Sequence, residues 1–411
     1  LRLALVPRDG LFFKDGRGWY TSHSGRGHAL DWPWPSSIRG ALCTAVGRRQ
    51  EAEKGSIHCK KEWLALKDKV QPQRQLALRR ELGERWTFEN RMWPVPRDVV
   101  FIEDKKNNTD QCKVIRLIPK KPLAGILSNA PKADSALWFP VLETEDEESV
   151  KPLTPPRWWG EATFVKWLRG KDVEATIHQG KAVGPHMDKQ ARVHVVINNK
   201  TQTAKDEGLY TTETVETLQR DKEGSYEWAI GVEVKTPEVT APRLATLGSD
   251  RRPAFVEELE DTPLFEPPGN LLEQIAGSKR LRLILITPAK FKEGWLPKGF
   301  KLEDNAAYRG SLPGVNGEVI LRSALVGRPL NVSGWDMVKK PKDNKDDYAS
   351  GPKKTDRMAP PGSVYFFEKA NGQAFTTDEV QALWLANLGD RTEDGFGLVV
   401  PGIWQNQGDA S

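Results

Sequence analysis

The sequence predicts an α+β fold built from two ferredoxin-like (RRM-like) βαββαβ domains with large insertions. Three observations lead there. The chain has 411 residues, and at about 100–200 residues per domain that means two or three domains. From Leu281 onward the apolar pattern reads strand, middle strands, helix, strand, the order of a βαββαβ unit. A Pro- and Glu-rich stretch, Pro263 to Gly269, marks a boundary before it. The expected division is residues 1–275, an N-terminal domain filled with insertions, and residues 280–411, a C-terminal domain.

In the first domain, Leu1–Val6 reads as a strand, and the glycine-rich stretch from Arg8 to His28 as a loop or distorted hairpin. Ser36-Ser37 before the apolar run of Ile38, Leu42 and Val46 is a helix-start signal. Residues 50–85 are charged and helical in flavour, with Trp63, Leu64, Leu66 and Val70 as inner positions. Val95–Glu103 and Cys112–Pro119 form a predicted hairpin around a polar turn at 105–110. The acidic stretch 143–151 reads as a loop, and Gly160 to Arg169 as a short helix with Phe164, Val165 and Leu168 inward. Arg192–Asn198 and Tyr226–Val234 alternate as strands do.

In the second domain, Leu281–Thr287 is a buried strand, Glu318–Gly327 and Leu330–Trp335 form the middle, and Gly362–Phe367 is a further strand. Thr377-Asp378-Glu379 opens a helix with Val380, Leu383, Trp384 and Leu388 inward, and Gly395–Val400 closes the unit. The segment Lys339–Arg357 has 7 Lys/Arg against 4 Asp/Glu and no apolar period, so it is expected to be a mobile loop.

Composition narrows the function. The longest apolar runs span a few residues, far short of the roughly 20 that a membrane helix needs. Leu1 to Pro7 reads as too short for a signal peptide. A soluble cytoplasmic protein without a membrane role is expected. Cys43, Cys59 and Cys112 are widely spaced, with no CxxC pair, so reduced thiols are expected in place of a zinc site or a disulfide framework. Residues 1–80 hold 16 Lys/Arg against 7 Asp/Glu in a chain of net charge +5, which suggests one basic face suited to phosphate. Of the 15 tryptophans, most are expected in cores and interfaces.

The P-loop, HExxH and GxSxG motifs are absent from the sequence. No His-Asp doublet occurs, and no adjacent aspartates sit at a predicted strand turn. No metal, cofactor or catalytic residue is therefore expected. A metal-free ribonuclease needs only a general acid and base; His194, and secondarily His178, are the histidines that could serve.

Several stretches, in order along nearly the whole chain, resemble the RAMP superfamily. They are Pro7–Phe13, Trp32–Leu42, Arg192–Val195, Thr203–Tyr210, Leu247–Arg252, Leu285–Ala289, Ser333–Asp336, Pro361–Phe366 and Gly395–Gly397. More narrowly they are similar to the RAMP subunit of the type III-B (Cmr) CRISPR–Cas effector complex that caps the 5′ end of the guide RNA. Ser249 departs from the pattern, where a second glycine would stand. The resemblance implies two ferredoxin-like domains and binding of the CRISPR guide RNA at its 5′ tag without catalysis. It also implies two protein partners, the large palm-domain subunit and an adjacent backbone RAMP subunit. The alternative is a metal-independent CRISPR RNA-processing endoribonuclease of the same superfamily.

The residues agree with RNA binding at several points. Ser36 and Ser37 offer helix N–H groups to a phosphate, with Arg39 on the first turn. Arg192 and His194 share one side of a strand, where a sheet face can meet RNA. Arg251 and Arg252 put guanidiniums on a loop, suited to phosphate forks. Lys353, Lys354 and Arg357 supply the basic charge of the expected mobile loop.

Overall fold

In the computed structural model, two antiparallel sheets carry the molecule, one from each half of the chain. The described residues are 1–15, 25–55, 60–103, 111–122, 137–143, 151–220, 224–235, 241–259, 262–303, 307–339 and 349–404. The fold is α+β, with mostly antiparallel sheets and few helices.

The main elements are β1 (Arg2–Pro7), α1 (Pro35–Lys54), β2 (Gln71–Glu81), α2 (Glu161–Leu168), β3 (Ser225–Lys235) and β4 (Arg252–Glu258). They continue with β5 (Arg280–Leu285), β6 (Val319–Leu325), β7 (Val364–Lys369), α3 (Thr377–Leu383) and β8 (Leu398–Ile403). The centre of the first sheet runs β4-β1-β3-β2, and that of the second β8-β5-β7-β6. Each places the unit's last strand beside its first and its third between first and second. In the second half α3 joins β7 to β8, while the described residues between β5 and β6 form loops and short strands where a helix was expected. In the first half α1 joins β1 to β2, and the described residues between β3 and β4 contain the edge strand Leu244–Leu247.

Local chemistry accounts for most of this. Alternation in β1 sends Leu3 and Leu5 to one face, where Ile38, Leu42 and Val46 of α1 cover them, and Ala4 and Val6 to the other. Thr376 caps α3: its hydroxyl accepts from the Glu379 N–H while the Glu379 carboxylate accepts from the Thr376 N–H.

Three expectations change. The helical reading of 50–85 fails at residue 70. A helix does span Lys60–Lys69, but Gln71–Glu81 is a strand paired with β3 from Gln71↔Lys235 to Glu81↔Tyr226. Its Gln, Leu, Ala and Arg favour helices, yet Pro72 cannot continue one and the sheet supplies a partner for the backbone. The start of α1 is capped by Trp34 with Pro35 in the first turn, so Ser36 and Ser37 lie inside the helix. Proline's fixed φ suits that first position. The basic segment begins and ends in strands: Trp335–Lys339 pairs with Ala349–Pro352, and Asp356–Met358 with Leu330–Val332. Its middle, 340–348, lies outside the described residues, as does the polar turn at 105–110.

The sheets share one apolar core, in which Trp93 stacks on Phe164 with centroids 4.8 Å apart and meets Trp384 edge-on. Buried charge crosses the same junction. Arg282 of β5 bonds Asp98 and the Trp167 carbonyl, and the Trp167 indole donates to the other Asp98 oxygen at 3.0 Å. Arg91, forked onto Glu161 within the first half at 2.9 and 2.5 Å, lies 5.9 Å from the Trp384 ring centroid of the second. The short helix Leu271–Ile275 precedes β5 in sequence but packs against α3 and β8 of the second sheet. No helix among the described residues is long and apolar enough to cross a membrane.

Candidate nucleic-acid interface

The loop after β1 and a long hairpin meet at Asp9. The hairpin consists of Lys189–Ile197 and Ala204–Val215, paired from Lys189↔Val215 to Ile197↔Ala204. Its base is tied down: Leu11 bonds Val215 in both directions, and Lys189 reaches Asp31 at 2.5 Å. Away from the base it is uncovered, and Val193 is 68% exposed.

The Gly10 N–H donates to Asp9 Oδ1 at 2.8 Å, and Arg252 donates to Asp9 Oδ2. Arg192 approaches Asp9 Oδ1 at 3.6 Å and Glu216 Oε1 at 3.8 Å. Burial alone would raise the Asp9 pKa. The Gly10 N–H and the two guanidiniums outweigh it and hold the carboxyl below its ordinary range.

The turn that delivers Arg251 and Arg252 needs its glycine. Gly248 has φ +64°, and a Cβ there would sit 2.5 Å from the Phe12 carbonyl oxygen. Asp250 and Arg251 follow with φ 61° and 49°, a left-handed pair that costs on the order of 1–3 kcal/mol per residue. Ser249, where the resemblance suggested a glycine, donates its N–H to the Phe12 carbonyl at 2.8 Å, so the close approach survives the side chain.

On the hairpin face that carries Arg192, His194 Nε2 lies 2.9 Å from the Thr212 hydroxyl. Its ring stacks on Tyr210 at 4.9 Å and 13°. The pair is a flat π surface beside a guanidinium, the combination that takes an unstacked base and its phosphate.

The predicted residues thus fall into separate groups. Arg192, His194, Arg251 and Arg252 gather around the loop and hairpin. Ser36 and Ser37 lie at the start of α1, whose cap Trp34 packs against Val332, Met358 and Phe396 of the second half. Arg357 is on the strand next to that cluster, exposed, and Lys354 is exposed nearby in sequence. Lys353 packs along Gly334, beside Trp335, which is 58% exposed.

Two of the predicted arginines are held inside the protein. Arg39 is buried, donating to the Val70 carbonyl at 3.0 Å, the Lys67 carbonyl at 2.6 Å and Asp394 Oδ1 at 2.7 Å. Arg252 is buried against Asp9 and 3.5 Å from Asp250. Neither is free for a phosphate fork, because their carboxylate partners are already in place. Arg251 is the exposed member of its pair.

Asp9 and Tyr210 were not foreseen as site residues. Asp9-Gly10 signalled only a turn, and Tyr210 becomes a stacking partner only through the register His194↔Tyr210. Trp335 stood in a recognised stretch, but its exposure depends on how the hairpin lies.

The family model described as "CRISPR-associated protein (Cas_Cmr3)" matches residues 3–404. Among solved structures, the chain is similar to one in the cryo-EM structure of the Type III-B Cmr-beta bound to cognate target RNA and AMPPnP, state 1. The identity is 11%, with 89% of this chain and 86% of that one covered and a TM-score of 0.41. The Type III-B Cmr-beta bound to cognate target RNA gives 11%, the same coverage and 0.39. The search of curated proteins gave no match.

Proposed function

The chain belongs to the Cas_Cmr3 family of CRISPR-associated proteins, and from that premise we propose that it is a non-catalytic RNA-binding subunit of a type III-B effector complex. In this reading it holds the 5′-tag end of the guide RNA in the cytoplasm, beside the large palm-domain subunit and a backbone RAMP subunit. The strand orders β4-β1-β3-β2 and β8-β5-β7-β6 support reading each half as a ferredoxin-like unit with one helix replaced.

One observation carries the proposal: the convergence of the Gly248 turn and the exposed hairpin. Exposed Arg251 and half-exposed Arg192 supply phosphate donors there, and the His194–Tyr210 stack supplies a platform for a base. The ribonuclease alternative would have an acid and a base work together. His194, one of the two histidines that could serve, is engaged with the Thr212 hydroxyl at 2.9 Å and stacked on Tyr210, which supports the binding role.

The test is binding of tagged guide RNA and of a scrambled-tag control, together with incubation of repeat RNA without added metal. The expected result is tighter binding of the correct tag and no cleavage product. Product that disappears in His194→Ala would establish the enzyme instead, and equal binding of both RNAs would remove the tag-reading role.

A further inference from the structure

On the α1 side of the first sheet, the second half of α1 and the edge strand Leu244–Leu247 enclose an open cleft of about 530 Å³. Arg48, Arg49 and Arg243 line it together with Thr44 and Thr246, and no carboxylate does so among the described residues. The helix makes this arrangement: Thr44 and Arg48 are four apart and share a face, as do Ala45 and Arg49. Buried Ala45 and Ala245 form the floor.

The three arginines are not equivalent. Arg49 is anchored, donating to Glu53 at 2.7 Å and to the Ala241 carbonyl. Arg48 and Arg243 are exposed, and their guanidiniums make no hydrogen bond or ion pair among the described residues. The Thr44 hydroxyl already donates to the Gly40 carbonyl at 2.9 Å, whereas that of half-buried Thr246 has no partner among the described residues. Like charges around one concavity repel, and an anion seated among them turns that repulsion into attraction.

We propose that this cleft is a second phosphate-binding site, distinct from the Asp9 cluster, and that it takes the phosphate of a nucleotide. Its volume suits one nucleotide-sized ligand, and guanidiniums match phosphate oxygens as forks. The phosphate could belong to single-stranded RNA or to a free nucleotide. The geometry leans to RNA: Leu244–Leu247 runs straight into the Gly248 turn. At about 3.3 Å per residue, Arg243 lies roughly 13 Å along the strand from Leu247, so one extended strand can touch both places.

The experiment uses the full chain, its Arg48→Gln/Arg243→Gln double variant, the corresponding double Lys variant, and Arg251→Gln. The probes are a short labelled oligouridylate at several salt concentrations, AMP, and inorganic phosphate. For RNA, the double Gln variant is expected to bind roughly tenfold more weakly or worse, with a salt slope shallower by about 1.4 for two lost contacts. The melting temperature should be unchanged. If the Gln variant melts early, the Lys variant keeps the charge and still loses the fork, so it should bind more weakly with its fold intact. Loss of AMP or phosphate binding with RNA unaffected would support the site and identify a free nucleotide as its ligand. Unchanged affinity for all three probes overturns the proposal. An inert Arg251→Gln beside a defective double variant would overturn the loop-and-hairpin site and leave the cleft standing.

Discussion

At the junction of the two sheets, the guanidiniums of Arg39, Arg91 and Arg282 are buried and donate to partners within the chain. At the loop and hairpin, Arg192 is half-exposed, loosely paired across 3.6–3.8 Å, and Arg251 is exposed. The side chain is the same in both regions; what differs is whether the fold brings a carboxylate to it in a dry place. A buried arginine needs its partner to exist at all. An exposed one gains little from a surface carboxylate and remains open to a phosphate. A basic residue near a helix start or a glycine turn is therefore no guide to RNA contact until its burial is known.

The largest effect should come from breaking the junction. Arg282 and Asp98 are both fully buried, and burial pushes the Arg282 pKa down to about 10 despite the attraction of Asp98. Arg282→Met leaves Asp98 as an uncompensated buried charge, and a loss of roughly 3–5 kcal/mol is expected in denaturant unfolding. Arg282→Met/Asp98→Leu should recover much of it. A single variant as stable as the wild type would erase the distinction between the two regions.

A smaller effect is expected at Asp394, and it depends on pH. Burial would raise its pKa, but Arg39 and Arg391 outweigh burial and hold it below the ordinary 3.8. A carboxylate with a depressed folded pKa stabilises the fold above its unfolded pKa, and that contribution disappears as pH falls through the folded value. Asp394→Asn should cost roughly 1.5–3 kcal/mol at neutral pH, the range for hydrogen bonds to charged groups. Its stability should also fall less steeply than that of the wild type below pH 3.8. Parallel pH profiles for the two proteins would show that this ion pair is not what joins the halves.

The smallest effect on the fold, and the sharpest on binding, is expected at the exposed arginines. Arg192→Ala and Arg251→Ala should each change stability by no more than about 0.5 kcal/mol, while the salt dependence of RNA binding flattens by about 0.7 per lost contact. Arg39→Ala should show the reverse, a lower melting temperature and an unchanged salt slope. If Arg39→Ala binds RNA with a flatter slope and melts normally, the assignment of the two regions is inverted.

Much of the fold was legible because burial on one face leaves a period in the chain. Alternation marked β1, β3 and the hairpin strand, and Thr377-Asp378-Glu379 announced the start of α3, whose cap is Thr376, one residue earlier. Gln71–Glu81 was misread because its residues favour a helix, and only pairing with β3 makes it a strand. The site was legible in part. Arg192 and His194 share a face because alternation demands it, and Arg251 was correctly placed on a turn. That Arg252 would be drawn to Asp9, and Arg39 to Asp394, could not be read, since the partners lie 243 and 355 positions away.

The sequence by itself determined the α+β class, the family, and the residue types a phosphate-binding surface requires. These rest on local periodicity, on composition and on short motifs, which are properties of neighbours along the chain. The tertiary structure decided which cations are free, which are clamped, and that Arg48 and Arg243 converge on one cleft. Desolvation and ion pairing act between residues brought together through space, and their outcome follows from the distances that folding creates.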